Sequence, residues 1–529
     1  MVLFILSLFT FIIFVMLKTK KALHMLQQNW YDDDHRYLKW ILVNPYKVFI
    51  ELDMLFPIFL AFIFVNEKIA FTLFVLFYLI ISILYNKRVK KEQSKKPLVF
   101  TKRVKRICMT LTVLYLIPVV TMILTYDSTS IAYYYLFLGL LSYLNYFIVM
   151  TANFLNKPIE KGVFNYYKRQ AMNKIKSMKG IKIVGITGSY GKTSSKNILN
   201  DILNVKFNSF ATPKSFNTMN GLMLSINNYL DKFNDVFIAE MGAFKIGEIQ
   251  ELCDFIKPQY GILTKIGTAH LETFGSQENI QKGKFELIDS LPDDGIAVLN
   301  MDDELQVSYK RKSKCKVVWI GINNKEADIY ATNIKLSSEG TRFDCIFKGS
   351  DKKYRFETKL LGQANVYNIL AGIALGYEFG MTIEQIQLGV KKVNVIEHRL
   401  ELKKYLDINI IDDAYNSNPI GSKMALEVLS MMPGKKIVVT PGMIELGDKQ
   451  FELNMEFGKY IADTCDEVIL IGEEQTKPIY EGLMNKDYDK KRIHILNDVK
   501  EAFPLMQKLK EENTYVLLEN DLPDIFNEK

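Results

Sequence analysis

A short glycine-rich loop could bind phosphate through Gly188, Ser189, Gly191, Lys192, Thr193 and Ser194. Apolar residues 183–187 predict a buried strand before the loop, and residues 194–203 predict a helix after it. In this order, backbone N–H groups at the helix N-terminus face phosphate oxygens. The Lys192 ammonium can reach the β- and γ-phosphates, and the Thr193 hydroxyl can bind Mg²⁺. The loop therefore predicts ATP binding, although Ile186 stands where the longer common form has its first glycine.

Further side chains with binding chemistry lie near the ends of later predicted strands or on the helices between them: Glu240, His270, Lys284, Asn300, Arg399 and Asp413. Glu240 suits Mg²⁺ opposite the phosphate loop. Alone, a strand-end glutamate is more often a cap or surface charge, and a lone histidine is more often structural. Their order, at the carboxyl ends of predicted parallel strands, indicates one nucleotide site.

Alternating strand and helix patterns predict the elements that hold these side chains. From residue 181 the runs KIVGIT, DVFIAEM, YGILTKI and GIAVLN predict a parallel sheet with helices on both faces. Residues 315–360, which include KVVWIG, show short alternating runs typical of antiparallel strands added to that core. From about residue 405 a second alternating set predicts a separate Rossmann-like domain of roughly 130 residues.

Composition limits the class of protein. A chain of 529 residues suits about three domains. Its five cysteines are scattered without a C-x-x-C pair, which argues against a zinc site or disulfide framework and fits a reducing cytosol. The net charge of +8 is concentrated beside apolar segments, so it indicates membrane topology and not nucleic-acid binding.

Five apolar stretches within residues 1–156 are candidate membrane spans: Val2–Leu17, Val48–Val65, Ile69–Tyr85, Ile107–Thr125 and Ile131–Phe154. Glu51 and Asp53 fall at one end of the second stretch and are expected at the interface. The predicted spans contain no embedded pair of opposite charges, so the sequence does not indicate a transporter. Lysines and arginines crowd the loops after the first and third stretches, which predicts that these loops and everything after the fifth stretch are cytoplasmic. We expect an α-helical, multi-pass cell-membrane region followed by an α/β part.

The soluble part resembles the Mur ligase family of ATP-dependent, amide-forming enzymes of cell-wall synthesis. The similarity runs from about residue 180 to the end in the segments TGSYGKT, AEMGAFKIGEI, GTAHLETFGSQENIQKGKFELI, GIAVLNMDDE, GQANVYNILAG, DDAYNSNP and GMIELGD. The AHLE-x-FGS and YNxNP patterns favour the MurF subfamily, which adds D-alanyl-D-alanine to a peptidoglycan precursor. The resemblance implies a central ATP-binding domain over 157–398 and a C-terminal Rossmann-like domain over 399–529.

The resemblance also implies ATP and Mg²⁺ as cofactors and assigns residues to them. Metal ligands would be Thr193, Glu240, His270 and a carbamylated Lys284. Asn300 would contact adenine, and Arg399 and Asp413 would reach the nucleotide when the domains close. Lys192, His270 and Lys284 would be the catalytic residues.

The same resemblance places the substrates. The acceptor side would be contacted by Asn217 and Thr218, and the incoming amine would face Tyr415, Asn416 and Asn418. The implied reaction is an acceptor carboxylate attacking the γ-phosphate, followed by attack of an amino acid or dipeptide amine on the acyl phosphate. The acceptor would be a cell-wall precursor, UDP-linked, lipid-linked or a polymer end.

Four departures from the family pattern put the substrates in question. Apolar segments replace the family's UDP-binding N-terminal domain. The histidine of the GRHNVxN segment is Ala364, and the VLGDMxELG loop reads VTPGMIELG over 439–447. The late KGSR-type segment begins with Glu519 and has lost its cationic groups. The last three changes question the identity of the amine and leave ATP use untouched.

Other readings remain open at this stage. One is a poly-γ-glutamate-type synthase, which is also Mur-like and membrane-tethered. Another is a non-catalytic membrane scaffold with a retained nucleotide fold, which the intact Lys192, Glu240 and Lys284 disfavour. MurT-type amidating ligases carry a four-cysteine zinc site that this sequence lacks, and a transporter is disfavoured by the absence of repeats.

Overall fold

The computed structural model describes residues 1–91, 97–337, 339–350, 352–415, 417–444 and 446–521. The chain divides into two compact units, and the second begins at Tyr167. Helices of the first unit are α1 (Val2–Gln28), α2 (Leu38–Val43), α3 (Pro45–Val48), α4 (Glu67–Lys91), α5 (Lys102–Leu124), α6 (Ile131–Tyr143) and α7 (Asn145–Ser177). The predicted domain boundary at 156/157 falls inside α7, which continues past the start of the second unit.

Three described helices, α1, α4 and α5, are long and apolar enough to cross a membrane. A fourth span exists only if α6 and α7, which are bent by 68° relative to each other, count as one. The second predicted span, Val48–Val65, contains a 3₁₀ helix of 13 residues over Leu52–Phe64, which is short for a bilayer. The expectation of five spans is therefore not met, because an apolar run has the same composition whether its backbone is continuous or broken.

A buried ion pair lies inside the first unit. Lys18 and Asp53 are both fully buried and form a salt bridge. The Lys18 ammonium also lies 5.8 Å from the centre of the Tyr146 ring. This buried charge pair was not predicted from the sequence. The partners are 35 residues apart in sequence, and each makes burial of the other possible by neutralising its charge.

The second unit begins with a nine-stranded sheet in the order β2-β3-β1-β4-β5-β6-β7-β8-β9. Its strands are β1 (Lys182–Thr187), β2 (Ser209–Ala211), β3 (Val236–Glu240), β4 (Tyr260–Leu263), β5 (Ile296–Asn300), β6 (Lys316–Gly321), β7 (Ile329–Ser337), β8 (Gly340–Phe347) and β9 (Lys353–Thr358). Its helices are α8 (Lys192–Leu203), α9 (Met219–Asn228), α10 (Glu248–Ile256), α11 (Leu271–Phe274), α12 (Gln277–Asp289), α13 (Glu304–Val307), α14 (Gln363–Glu378) and α15 (Ile383–Lys392).

The register confirms a parallel core with antiparallel strands at one edge. β1 pairs in parallel with β3 and β4, so Glu240 lies opposite Ile186 just before the phosphate loop. β7, β8 and β9 are antiparallel to one another. The expectation that KVVWIG (β6) is an antiparallel strand is wrong, because β6 pairs in parallel with both β5 and β7. A strand of six residues shows its alternation in sequence but not the direction of its neighbours.

A six-stranded sheet follows, in the order β10-β11-β15-β12-β13-β14. Its strands are β10 (Glu401–Tyr405), β11 (Ile408–Asp413), β12 (Lys436–Thr440), β13 (Glu467–Ile471), β14 (Ile493–Leu496) and β15 (Tyr515–Glu519). Its helices are α16 (Pro419–Ser430), α17 (Gln450–Thr464), α18 (Glu473–Met484) and α19 (Val499–Leu509).

The five parallel strands of this sheet match the predicted Rossmann-like runs. The edge strand β10 was not predicted, because its sequence, ELKKY, is mostly charged and shows no apolar alternation. β10 pairs antiparallel with β11. Asp413 on β11 and Glu519 on β15 are register partners at the carboxyl ends of their strands.

Two glycines bring α17 and α18 into backbone contact. A Cβ on Gly482 would lie 2.0 Å from the Met455 carbonyl oxygen, and a Cβ on Gly458 would lie 2.2 Å from the Ile479 carbonyl oxygen. Such distances leave no space for a methyl group, so the two helices would have to separate.

We expect Gly482→Ala to lower the free energy of unfolding of the C-terminal part by about 1–3 kcal/mol, because the methyl group overpacks the helix crossing. Thermal or urea unfolding followed by circular dichroism measures it. Gly376→Ala in α14 is the matched control, since its Cβ would meet its nearest atoms at 3.4 Å. Equal stability of the two variants would contradict this account of the crossing.

Candidate active site

The phosphate loop connects β1 to α8, and α8 begins at Lys192, two residues earlier than predicted. Gly191 has a φ of +80°, and a Cβ on Gly188 would lie 2.0 Å from the Thr264 hydroxyl oxygen. The first position needs a left-handed backbone and the second a close approach, so glycine is required at both. The Lys192 ammonium donates to the carbonyl oxygens of Gly188 (2.7 Å) and Ser189 (3.0 Å).

The carboxylate of Glu240 is the centre of the polar contacts around this loop. It is 1% exposed, and its Oε1 accepts hydrogen bonds from the Thr193 hydroxyl and the Asn217 amide, both at 3.1 Å. Its Oε2 lies 3.1 Å from the Lys196 ammonium. β3, α8 and the segment before α9 therefore meet at one carboxylate.

Lys196 is a site residue that the sequence reasoning missed. It is buried, pairs with Glu240, and also donates to the backbone carbonyl of Lys214. The spacing of the sequence could have identified Lys196 as a buried residue. It lies three residues before Leu199 and seven before Leu203, on the apolar face of α8. A lysine on a buried helix face needs an acidic partner.

Burial changes the protonation of three lysines around the site. It lowers the pKa of Lys192 to about 8, with the charge of Arg399 adding to this effect and that of Glu240 opposing it. Burial also lowers the pKa of Lys196, against the opposing effect of Glu240. Burial and the nearby charge of Lys192 lower the pKa of Lys284 to about 7. Lys284 therefore has a substantial neutral fraction near neutral pH, as reaction of its amine requires.

His270 and Lys284 approach the same space from the other side. His270 has a φ of +60° immediately before α11, and its ring packs edge-on against Phe244 with centroids 4.5 Å apart. Lys284, on α12, is 1% exposed and donates to the Ala243 carbonyl at 3.2 Å. Its ammonium lies 5.2 Å from the centre of the Phe274 ring.

A cavity of about 260 Å³ joins these groups to the C-terminal sheet. Its walls include most of the predicted site residues: Ser189, Gly191, Lys192, Thr193, Asn217, Glu240, His270, Lys284, Arg399, Tyr415 and Asn418. Its walls also include Tyr190, Ser215, Phe244 and Ser417, which the sequence reasoning did not single out.

Arg399 and Tyr415 lie together on the C-terminal side of this cavity, and Tyr415 contacts the phosphate-loop side. The Arg399 guanidinium lies 4.5 Å from the centre of the Tyr415 ring. The Tyr415 hydroxyl is 2.5 Å from the Ser215 hydroxyl on the phosphate-loop side. The predicted amine-side residue therefore contacts the segment that leads to Asn217.

Ser417 and Glu519 form a second buried contact on the C-terminal side. The Ser417 hydroxyl donates to Glu519 Oε1 at 2.6 Å. Glu519 is fully buried, and burial and the charge of Asp413 raise its pKa well above its ordinary value. Burial raises the pKa of Asp413 to about 6, with the charge of Arg399 opposing.

Some predicted residues have structural contacts and lie outside the described cavity wall. Asn300 accepts a hydrogen bond from the Asp302 N–H at 2.9 Å, and Thr218 caps α9 by accepting from the Gly221 N–H. Asp413 accepts from the Leu400 N–H at 3.2 Å. Asn418 lines the cavity and also caps α16. Asn416, predicted to face the incoming amine, lies outside the described residues.

The donor set around Glu240 fits Mg²⁺. The Glu240 carboxylate and the Thr193 hydroxyl supply hard oxygen donors beside the phosphate loop, and Mg²⁺ commonly takes one or two carboxylates together with phosphate oxygens and water. Glu240 Oε2 is buried and has no described hydrogen-bond partner besides its ion pair with Lys196. His270 and Lys284 line the same cavity.

Comparison with known proteins assigns each of the two sheets to a Mur ligase domain. The Mur ligase middle domain matches residues 186–376, and the Mur ligase glutamate ligase domain matches residues 398–519. The UDP-N-acetylmuramoyl-tripeptide--D-alanyl-D-alanine ligase of Bacillus subtilis is 32% identical over 337 residues, which cover 63% of this chain and 70% of the relative. The Escherichia coli protein of the same name is 29% identical over 55% of this chain and 65% of its own length.

Solved structures agree on the fold. MurF from Thermotoga maritima, crystallised with ADP, superposes with a TM-score of 0.60 and 26% identity over 68% of this chain and 80% of its own. MurF from Acinetobacter baumannii superposes with a TM-score of 0.61 and 23% identity over 68% of this chain and 77% of its own. Since both family domains match and the Bacillus subtilis relative is covered over 70% of its length, this chain belongs to the Mur ligase family, whose members are ATP-dependent ligases that use Mg²⁺.

Proposed function

We propose that this chain is a MurF-like, ATP-dependent ligase that joins a carboxylate of a peptidoglycan precursor to the amine of D-alanyl-D-alanine or a related amino acid or dipeptide. The observation that carries the proposal is the single cavity shared by Lys192, Thr193, Glu240, His270 and Lys284 with C-terminal residues of the second sheet. A phosphate site and a substrate site that share one wall suit a reaction that activates a carboxylate and then aminates it.

In the first step a carboxylate oxygen of the acceptor attacks the γ-phosphorus of ATP, and the bond to the bridging oxygen of ADP breaks. The product is an acyl phosphate. Lys192 is held by two loop carbonyls, so its charge is positioned for the transferring phosphoryl group before substrate arrives. When bound, Mg²⁺ would neutralise phosphate charge beside Thr193 and Glu240, with His270 and a carbamylated Lys284 as further ligands.

In the second step the amine attacks the activated carbonyl carbon, and phosphate leaves with the electron pair of the C–O bond. Water competes with the amine for the acyl phosphate, so the cavity must be closed during this step. The Arg399–Tyr415–Ser215 contact holds the C-terminal wall against the phosphate-loop side, which supports Arg399 and Tyr415 as closing residues.

We also propose that the first unit attaches the enzyme to the cell membrane, with the ligase on the cytoplasmic side. Three apolar helices of sufficient length and the basic loops beside them support this. A membrane-attached ligase is suited to a lipid-linked form of the precursor, whereas the UDP-linked form would reach it from solution. Membrane fractionation and labelling of introduced cysteines test the attachment and its orientation.

The function is tested by phosphate release from the full-length protein in detergent with ATP and Mg²⁺, followed by mass spectrometry of the products. The acceptor pairs are UDP-linked and lipid-linked muropeptides with D-alanyl-D-alanine, and oligo-glutamate with glutamate. A single dipeptide mass gain on a muropeptide supports the proposal. A ladder of glutamate additions would establish the polymer synthase instead, and no acceptor-stimulated release would favour the scaffold.

Lys192→Ala should lower kcat for acceptor-stimulated ADP formation by roughly 10²–10³-fold or more, because it removes the positioned charge at the γ-phosphate. A coupled ADP assay measures the loss. Lys206→Ala, an exposed lysine just beyond α8, is the control and should keep near-normal activity. Full turnover by the Lys192 variant would show that the phosphate loop is not needed for the reaction.

Lys284→Ala should abolish amide formation, and a short carboxylic acid in the buffer should restore part of it. The acid would supply the carboxylate that a carbamylated lysine presents at this position. The same assay with and without acetate measures the rescue, and Lys282→Ala on the same helix serves as control. Normal activity without added acid would show that Lys284 is not needed.

A further inference from the structure

We propose that Ser417 and Glu519 form a two-residue relay that takes the proton from the ammonium group of the incoming amine. The inference rests on the proposed function and adds to it the groups that prepare the nucleophile. An amine is protonated near neutral pH and cannot attack a carbonyl carbon in that form, so the second step needs a proton acceptor on the amine side of the cavity.

The positions of the two residues fit this role. Ser417 lies in the wall of the cavity shared with Lys192, His270 and Lys284, close to the loop residues Tyr415 and Asn418. Its hydroxyl donates to Glu519 Oε1 at 2.6 Å, so the serine oxygen has lone pairs available for a proton from the cavity. Glu519 is fully buried, and its carboxyl group is connected to the cavity wall by this hydrogen bond to Ser417.

Glu519 lacks the partners that a structural buried carboxylate usually has. Its Oε2 has no hydrogen-bond partner among the described residues, and the charged group that acts on its pKa is another carboxyl group, Asp413. Its register partner across the sheet is Asp413, another carboxyl group. An isolated buried carboxylate is costly, so retaining one behind a cavity serine indicates a chemical role.

Burial and a neighbouring carboxyl group increase the affinity of Glu519 for a proton. Asp413 faces it from β11, and Arg399 acts on Asp413. Burial and the charge of Asp413 raise the pKa of Glu519, which increases its affinity for a proton. Asn520 holds the serine in place, since its side chain accepts from the Ser417 N–H at 3.3 Å and donates to the Gly442 carbonyl at 2.6 Å.

The transfer balances in atoms and charge. The ammonium proton passes to Ser417 Oγ as the serine proton passes to Glu519 Oε1, which leaves a neutral amine. The amine nitrogen forms the C–N bond, the C–O bond to phosphate breaks, and the second amine proton leaves with the phosphate. Glu519 then releases its proton to solvent when the cavity opens.

Hydroxylamine separates proton removal from the rest of the reaction, because it is largely unprotonated at neutral pH and needs no acceptor before it attacks. The protein is assayed with ATP, Mg²⁺ and a muropeptide acceptor, in both its UDP-linked and its lipid-linked form, with either D-alanyl-D-alanine or hydroxylamine as nucleophile. Ser417→Ala and Glu519→Gln should lower kcat for the dipeptide by roughly 10²–10⁴-fold. Hydroxamate formation should stay within about threefold, since the relay is not required.

Two variants serve as controls for structure. Ser417→Thr keeps a hydroxyl and should retain most activity with the dipeptide. Glu519→Gln keeps the size of the side chain and the oxygen that accepts from the Ser417 hydroxyl, so it should leave the melting temperature nearly unchanged. A change confined to the KM of the dipeptide, or equal losses with both nucleophiles, would overturn the relay in favour of a positional role. Hydroxamate formed by the wild-type protein supports the ligase assignment even if the relay fails, and its absence would overturn both.

Discussion

The catalytic part of this molecule is built around one buried carboxylate. Glu240 accepts hydrogen bonds from the Thr193 hydroxyl of the phosphate-loop helix and from the Asn217 amide of the segment before α9, and it pairs with Lys196. A carboxylate that is 1% exposed requires such partners, so their positions are fixed relative to one another by its charge. The phosphate loop, the end of β3 and the segment before α9 are therefore ordered together, and the loop lysine is held by two carbonyl groups of the loop itself.

The two sheets of the second unit divide the work across the cavity. In the proposed reaction the nine-stranded sheet would supply phosphate and metal binding through Thr193, Glu240, His270 and Lys284, which line the cavity. The six-stranded sheet would supply the amine side, where Arg399 contacts Tyr415 and Ser417 contacts Glu519. Activation of a carboxylate requires cations around phosphate, whereas attack by an amine requires a group that accepts a proton. The proposed proton acceptor and the three buried lysines belong to domains built on different sheets, so the two requirements would be met separately.

In both units, sequence patterns predicted where many helices and strands lie but not the features that depend on contacts between distant residues. Apolar runs identified α1, α4 and α5, but the 68° bend between α6 and α7 and the short 3₁₀ segment Leu52–Phe64 depend on contacts with neighbouring helices and were not visible. The burial of Lys18 with Asp53 has the same origin, because it needs a partner 35 residues away. In the second unit, strand positions followed from apolar periodicity, whereas the parallel pairing of β6 and the charged edge strand β10 did not.

The sequence by itself determined the phosphate loop and the positions of most strands along the chain, because these depend on local spacing and on glycine conformation. Together with the resemblance to the Mur ligase family, it predicted Lys192, Thr193, Glu240, His270 and Lys284 as site residues, and the fold brings them to one cavity. Only the tertiary structure revealed the Lys196–Glu240 ion pair and the Ser417–Glu519 contact. It also showed that Asn300 and Thr218 accept hydrogen bonds from nearby backbone N–H groups. The reason is physical: a buried charge is defined by the partner it meets, and residues 417 and 519 meet only when β11 and β15 pair in the folded sheet.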